Sequence, residues 1–201
     1  HCHRHAYRNG VATIGCVRGL DAVRRAFDVA DAHRDFMVTT IGVHPHDAAT
    51  LTSPEGDAIW AELSKLANDP LVVAIGEMGL DYYYDHSPRE EQREVFRRQI
   101  ALARETKKPI VVHSRDARED TLTILREENA RDVGGILHCF SEDAAFAKAA
   151  LEMDFVASFS GIVTFKTAEA IQEAAKLQPA DAILVATDAP YLAPLPHRGR
   201  R

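Results

Sequence analysis

The sequence predicts an α/β fold of the TIM (β/α)8 barrel type, and three observations carry the prediction. Short apolar runs rich in Val and Ile recur along the chain, helical patterns lie between them, and most of the runs end at their carboxyl side in a histidine or an acid. Alternating strands and helices point to βα units around a parallel sheet. In such barrels the carboxyl ends of the strands carry the functional residues.

Seven runs read as strands: 11–17, 37–43, 71–77, 109–113, 134–139, 154–159 and 182–187. The segments 20–34, 54–68, 88–107, 117–129, 142–153 and 167–178 read as helices. Their start signals agree, since Ser87-Pro88-Arg89-Glu90 has the form of a capping box with proline at the first helical position, and Ser53-Pro54 and Ser141-Glu142 open helices similarly. Within 88–107, Phe96, Ile100 and Ala103 share an apolar stripe, while Arg89, Arg93 and Arg97 lie on a solvated face. His1 to His3 would be the carboxyl end of a further strand. Such barrels usually take about 250 residues. Seven residues between His3 and Val11 are too few for a helical crossover. The expectation is one barrel domain over 1–201, lacking the start of its first strand and its closing carboxyl-terminal helix.

Composition supports one globular domain with a sizeable core: 201 residues, 46% hydrophobic and 27% charged. No apolar stretch approaches the ~20 residues that span a bilayer, and the amino-terminal stretch is polar and His-rich, so a cytoplasmic monomer away from membranes is expected. Three widely spaced cysteines, Cys2, Cys16 and Cys139, support neither a disulfide framework nor a metal knuckle. The net charge of −6 argues against a broad basic face for nucleic acid. Phosphate recognition would then be local, through metals and a few arginines.

The runs that end in polar residues read T-T-I-G-V-H-P-H (39–46), V-A-I-G-E-M-G-L-D-Y (73–82), I-V-V-H-S-R-D-A (110–117), G-I-L-H-C-F-S (135–141) and L-V-A-T-D-A-P-Y-L (184–192). One histidine after a strand is more often a hydrogen-bonded structural residue than a ligand. Together, His1, His3, Glu77, His113, His138 and Asp188 would converge on one mouth, where cations are needed to offset the repulsion and desolvation of buried acids and imidazoles. Six ligands exceed one tetrahedral site, so two divalent cations are expected. Carboxylate and imidazole donors without cysteine permit Mg, Mn or Zn.

The strings H-C-H, G-V-H-P-H-D-A, A-I-G-E-M-G-L-D-Y, V-V-H-S-R-D-A, L-H-C-F-S, S-F-S-G-I-V-T-F-K and T-D-A-P-Y-L-A-P follow one another along nearly the whole chain. In content and order they resemble those of the TatD-type deoxyribonucleases, a family of metal-dependent hydrolases. That resemblance implies hydrolysis of DNA phosphodiesters, with 3'-5' exonuclease action on single-stranded DNA as the expected form. It also implies that His1, His3 and Asp188 hold one cation, His113 and His138 the other, and that Glu77 bridges them. The chain departs from the family in carrying Ala186 where a glutamate is common and in the short segment after His3.

Within this frame Glu77 and Asp188 are the expected catalytic residues, Asp188 orienting the attacking water and accepting its proton. Arg115, two residues beyond His113, would clamp a phosphate or pair with Asp116. His44 would face the substrate and His46 lies on the same side, both in a turn stiffened by Pro45 that suits hydrogen bonding next to the ligands. Tyr82 to Tyr84 and Phe140 would stack on bases, with packing as the alternative role of the three tyrosines. Ser158 and Ser160 have no histidine or acid at the spacing of a nucleophilic serine. Three alternatives stay open: a D-aminoacyl-tRNA deacylase on the same barrel, a phosphotriesterase-type site, and an inactive scaffold. No lysine ends a strand to bridge metals in the phosphotriesterase manner, and the full ligand set weighs against a scaffold.

Overall fold

The computed structural model describes residues 13–15, 20–188 and 191–198. Seven strands make one sheet: β1 (Thr13–Gly15), β2 (Met37–Ile41), β3 (Val72–Asp81), β4 (Ile110–Arg115), β5 (Gly135–Leu137), β6 (Phe155–Phe159) and β7 (Ile183–Val185). They pair in sequence order and every pairing is parallel. A doubly wound sheet would reverse its order; this one is singly wound, as in a barrel. Right-handed crossovers then bring all the connecting helices to one face. The further strand expected at His1 to His3 lies outside the described residues.

The helices are α1 (Leu20–Asp31), α2 (Ala49–Thr52), α3 (Gly56–Leu66), α4 (Arg89–Thr106), α5 (Arg118–Glu127), α6 (Ala144–Leu151) and α7 (Glu169–Lys176). A short 3-10 turn, Pro45–Asp47, precedes α2. Phe96, Ile100 and Ala103 of α4 are fully buried, as their stripe predicts. Arg89, Arg93 and Arg97 stay outside the core, paired with Asp85, with Glu90 and Asp120, and with Glu127 and Glu128. One apolar core runs from Val23 to Ala174 across the helix-covered face of the sheet. No helix among the described residues is long and apolar enough to cross a membrane.

Three local expectations are corrected. Ser87 does not cap α4: its Oγ donates to the carbonyl of His46 at 2.8 Å and accepts from the amide of Ala49 at 3.1 Å, because the turn after β2 lies within reach. At α6 the capping oxygen belongs to Asp143, which accepts from the amide of Phe146 at 2.9 Å. The third concerns β3, which continues to Asp81, four residues past the expected end at 77, and brings a further carboxylate to the mouth.

Candidate metal centre

Glu77 sits where β3 is irregular. Ile75 pairs with Ile110 but Met78 with Val112, so three steps of β3 oppose two of β4 and the strand bulges at Gly76 and Glu77. Gly79, with φ +132°, is needed beside it: a Cβ there would lie 2.0 Å from the carbonyl oxygen of His113. His113 is on β4 opposite Gly79. His138 follows β5 directly, its amide donating to the carbonyl of Val112 at 2.8 Å. Asp188 comes three residues after β7 and His44 three after β2. All are at carboxyl ends of parallel strands, on one rim.

The centre of this rim is a chain of carboxylates and imidazoles. His113 reaches Glu77 Oε1 through Nδ1 at 3.2 Å and Asp81 Oδ2 through Nε2 at 2.9 Å. His46 Nε2 contacts the same Asp81 oxygen at 2.9 Å. His138 Nε2 lies 3.7 Å from Asp188 Oδ1. The rings of His44 and His113 are 4.6 Å apart, and one donor atom from each of His44, Glu77 and His113 can be chosen so that all lie within 4.8 Å of one another.

These contacts set the charges. Burial opposes ionisation of Glu77, but the hydrogen bond from His113 and the charges of His113, His138 and His44 outweigh it and hold the carboxyl at about 2. Burial likewise works against a charged His113, yet its bonds to Asp81 and Glu77 lift it to about 9. His138 is raised in the same way, by Asp188 and Glu77 acting against burial. Despite burial, Asp81 is held well below the usual carboxylate range by His113, the amide of Tyr84 and His46.

These donors fit a divalent cation. A neutral His113 that donates from Nε2 to Asp81 turns a lone pair on Nδ1 toward the ionised Glu77, and two electron-rich atoms at 3.2 Å need a positive charge between them. In the cation-free protein a proton fills that need; a metal ion would replace it. His44 differs in kind. Its Nδ1 accepts from the amide of His46 at 3.2 Å, so in the neutral ring the proton is on Nε2.

The remaining predicted residues are distributed unevenly. His1 and His3 lie outside the described residues. Arg115 makes no ion pair with a described residue, Asp116 included; its guanidinium lies over the rings of Tyr83 and Tyr84, at 4.1 and 4.8 Å. Tyr82 turns its hydroxyl to Asp120 at 2.6 Å and to Arg93. Phe140, expected to stack on bases, is corrected to a core residue: it is 2% exposed and packs on Phe146 and Phe159. Ser158 and Ser160 are buried, Ser160 against Cys139 Sγ at 2.9 Å.

Sequence reasoning missed Asp81, which is 0% exposed and shared by two histidines. The signal was its even spacing from Glu77 along one strand. Gln92 and Gln99 were missed as well. Both are buried on one face of α4; Gln99 pairs with the backbone of Val43 through bonds of 2.7 and 3.0 Å, and Gln92 accepts from the amide of Asp81 at 2.8 Å. They hold the segments that carry His44 and Asp81.

Residues 2–201 match the family described as TatD related DNase. The chain belongs to that family. Among its relatives is a protein of Bacillus subtilis named as an uncharacterized metal-dependent hydrolase, YabD, 49% identical over 187 residues, which are 92% of this chain and 71% of the relative. A second, the Escherichia coli metal-dependent hydrolase YcfH, is 50% identical over 167 residues, 83% of this chain and 61% of the relative. A solved TatD family hydrolase from Entamoeba histolytica superposes with a TM-score of 0.82 at 25% identity, over 94% of this chain and 64% of its own. The Escherichia coli TatD homolog YJJV shares the fold, with a TM-score of 0.86 at 23% identity, over 98% of this chain and 74% of its own. This TatD-family chain thus has metal-dependent hydrolases as relatives and a candidate metal site at Glu77 and His113, with a ring nitrogen of His44 within 4.8 Å of both.

Proposed function

We propose that the protein hydrolyses phosphodiester bonds at the ends of single-stranded DNA, with 3'-5' polarity, using two divalent cations. The observation that carries this reading is the facing pair of Glu77 and His113, an ionised carboxylate and an imidazole nitrogen at 3.2 Å that require a positive charge between them. Bound cations would polarise the phosphate and acidify an attacking water. The chain's own residues do the rest. Glu77 and His113 would hold one position; His138 and Asp188, 3.7 Å apart on the same rim, would hold the second. His1 and His3 complete the set as the family resemblance implies.

Asp188 is the base. Its side chain is 40% exposed, so a water can reach the carboxylate oxygen that does not face His138. His44, with Nε2 as donor, and Arg115, with no ion-pair partner among the described residues, bind the non-bridging phosphate oxygens. Asp81 keeps His113 in one orientation throughout.

The test is a panel of labelled single-stranded DNA, duplex DNA and a D-aminoacyl-tRNA, each with Mg, Mn or Zn. Trimming of single strands by a few nucleotides at a time supports the reading. Release of the amino acid from tRNA with no DNA cleavage would replace it with the deacylase, and a circular single strand cut as fast as a linear one would replace end entry with internal cleavage.

A further inference from the structure

Directly after Asp81 the chain leaves the barrel rim with two aromatic side chains facing solvent, Tyr83 at 58% and Tyr84 at 49% exposed. Contiguous exposed aromatic side chains are the kind of surface that marks an interaction site. Here they are not loosely held. Asp81 Oδ1 accepts from the amides of both, at 3.1 and 2.8 Å, while Oδ2 of the same carboxylate takes the ring nitrogens of His46 and His113. One buried carboxylate therefore fixes the aromatic pair and the candidate metal ligand in a single rigid unit.

Arg115 completes the arrangement. It lies two residues beyond His113 on β4, on the same face of the strand, with its backbone in register with Asp81 of β3. Its guanidinium covers the ring of Tyr83 at 4.1 Å and approaches Tyr84 at 4.8 Å. Tyr84 is enclosed further: it stacks on His86 at 5.5 Å with 3° between the planes, and stands edge-on to His46 at 5.5 Å. Tyr83 meets Tyr84 edge-on at 4.8 Å and keeps the most open face.

We propose that Tyr83, backed by Arg115 and Tyr84, is a stacking subsite for the nucleobase next to the phosphate held at the rim. A flat aromatic face on a cation with no described ion-pair partner selects a ligand that joins a planar π-system to an anion, and a nucleotide is such a ligand. The acidic chain adds a reason: at a net charge of −6 it gains little from general attraction to a polyanion, so stacking must supply what charge does not. Every base has a π-face, so the subsite accepts all four. This inference rests on the phosphodiesterase reading for its place next to the scissile phosphate, but base binding itself does not need cleavage.

The test separates the two. Fluorescence anisotropy in EDTA, where hydrolysis does not intervene, is measured with labelled oligothymidylate and with a matched oligomer whose terminal residues are abasic. Wild type is expected to bind the base-bearing oligomer about tenfold more tightly. Tyr83→Ala should bring that ratio close to one, and Tyr83→Phe should keep it. The same oligomers are then offered with Mn2+ for cleavage. Equal binding of the two oligomers by wild type, no binding of either, or an undiminished ratio in Tyr83→Ala overturns the subsite whatever the cleavage result. A base-dependent ratio lost in Tyr83→Ala without hydrolysis of any oligomer keeps the subsite and overturns the phosphodiesterase reading.

Discussion

Asp81 Oδ2 lies 2.9 Å from His113 Nε2, and this contact decides what the opposite nitrogen of His113 can do. With Nε2 committed as a donor, Nδ1 points at Glu77 and is the nitrogen available to a cation. The predicted consequence is that Asp81→Asn weakens divalent cation binding by about 10–100-fold while the fold is kept. Titration of the variant with Mn2+, beside a circular dichroism spectrum, checks both halves. Unchanged affinity would mean that His113 is oriented by its packing alone.

A second expectation concerns α4. Gln99 satisfies both the amide and the carbonyl of Val43, inside the core. Gln99→Leu leaves two buried backbone groups without partners, each worth about 1–3 kcal/mol. A loss of about 2–6 kcal/mol in urea unfolding is predicted, together with weaker cation binding because Val43 leads into His44. Loss of stability with cation binding intact would separate Gln99 from the site.

The phenol of Tyr82 gives a pH signature away from the metal ligands. Burial, and after it the bond to Asp120, push this hydroxyl up to about 12. Since the folded value lies above the unfolded value of about 10, its contribution to stability is fully present below pH 10 and is lost as pH rises toward 12. Absorbance of tyrosinate at high pH should show a late-titrating phenol that Tyr82→Phe removes. An identical titration curve in the variant would contradict the assignment.

Much of the fold was legible because seven apolar runs and the intervening helical patterns carry their own periodicity. The rest turned on tertiary reach. Ser87 has the form of a cap, but its hydroxyl is engaged by the turn after β2, donating to the carbonyl of His46 and accepting from the amide of Ala49. Phe140 follows a histidine at a strand end and so reads as a mouth residue. Cys139, at φ +48°, turns the chain back, and the amide of Phe140 bonds to Ser158 of β6, which sends the ring into the core. Glu77, His113, His138 and Asp188 were legible as ligand types at strand ends. Asp81 was not, because the strand was expected to end at 77, four residues short of it. The tautomer of His44 depends on the amide of His46, which spacing alone does not reveal.

Activity should follow the same residues. Glu77→Ala removes a carboxylate that three histidines keep ionised against burial, and the predicted loss of phosphodiester hydrolysis is on the order of 10³-fold or more. Retention of a tenth of the activity would exclude a central role for Glu77.

The most direct test is calorimetric titration of the cation-free protein with Mn2+ near pH 7.5, in two buffers of different ionisation enthalpy. Because Asp81 and Glu77 lift His113 to about 9, its Nδ1 carries a proton at that pH, and a cation entering beside Glu77 must displace it. The account predicts release of about one proton for the cation bound there, affinity that rises roughly tenfold per pH unit up to about pH 9, and loss of this event in Glu77→Gln. Cation uptake with no proton release, or uptake unchanged in Glu77→Gln, would contradict it.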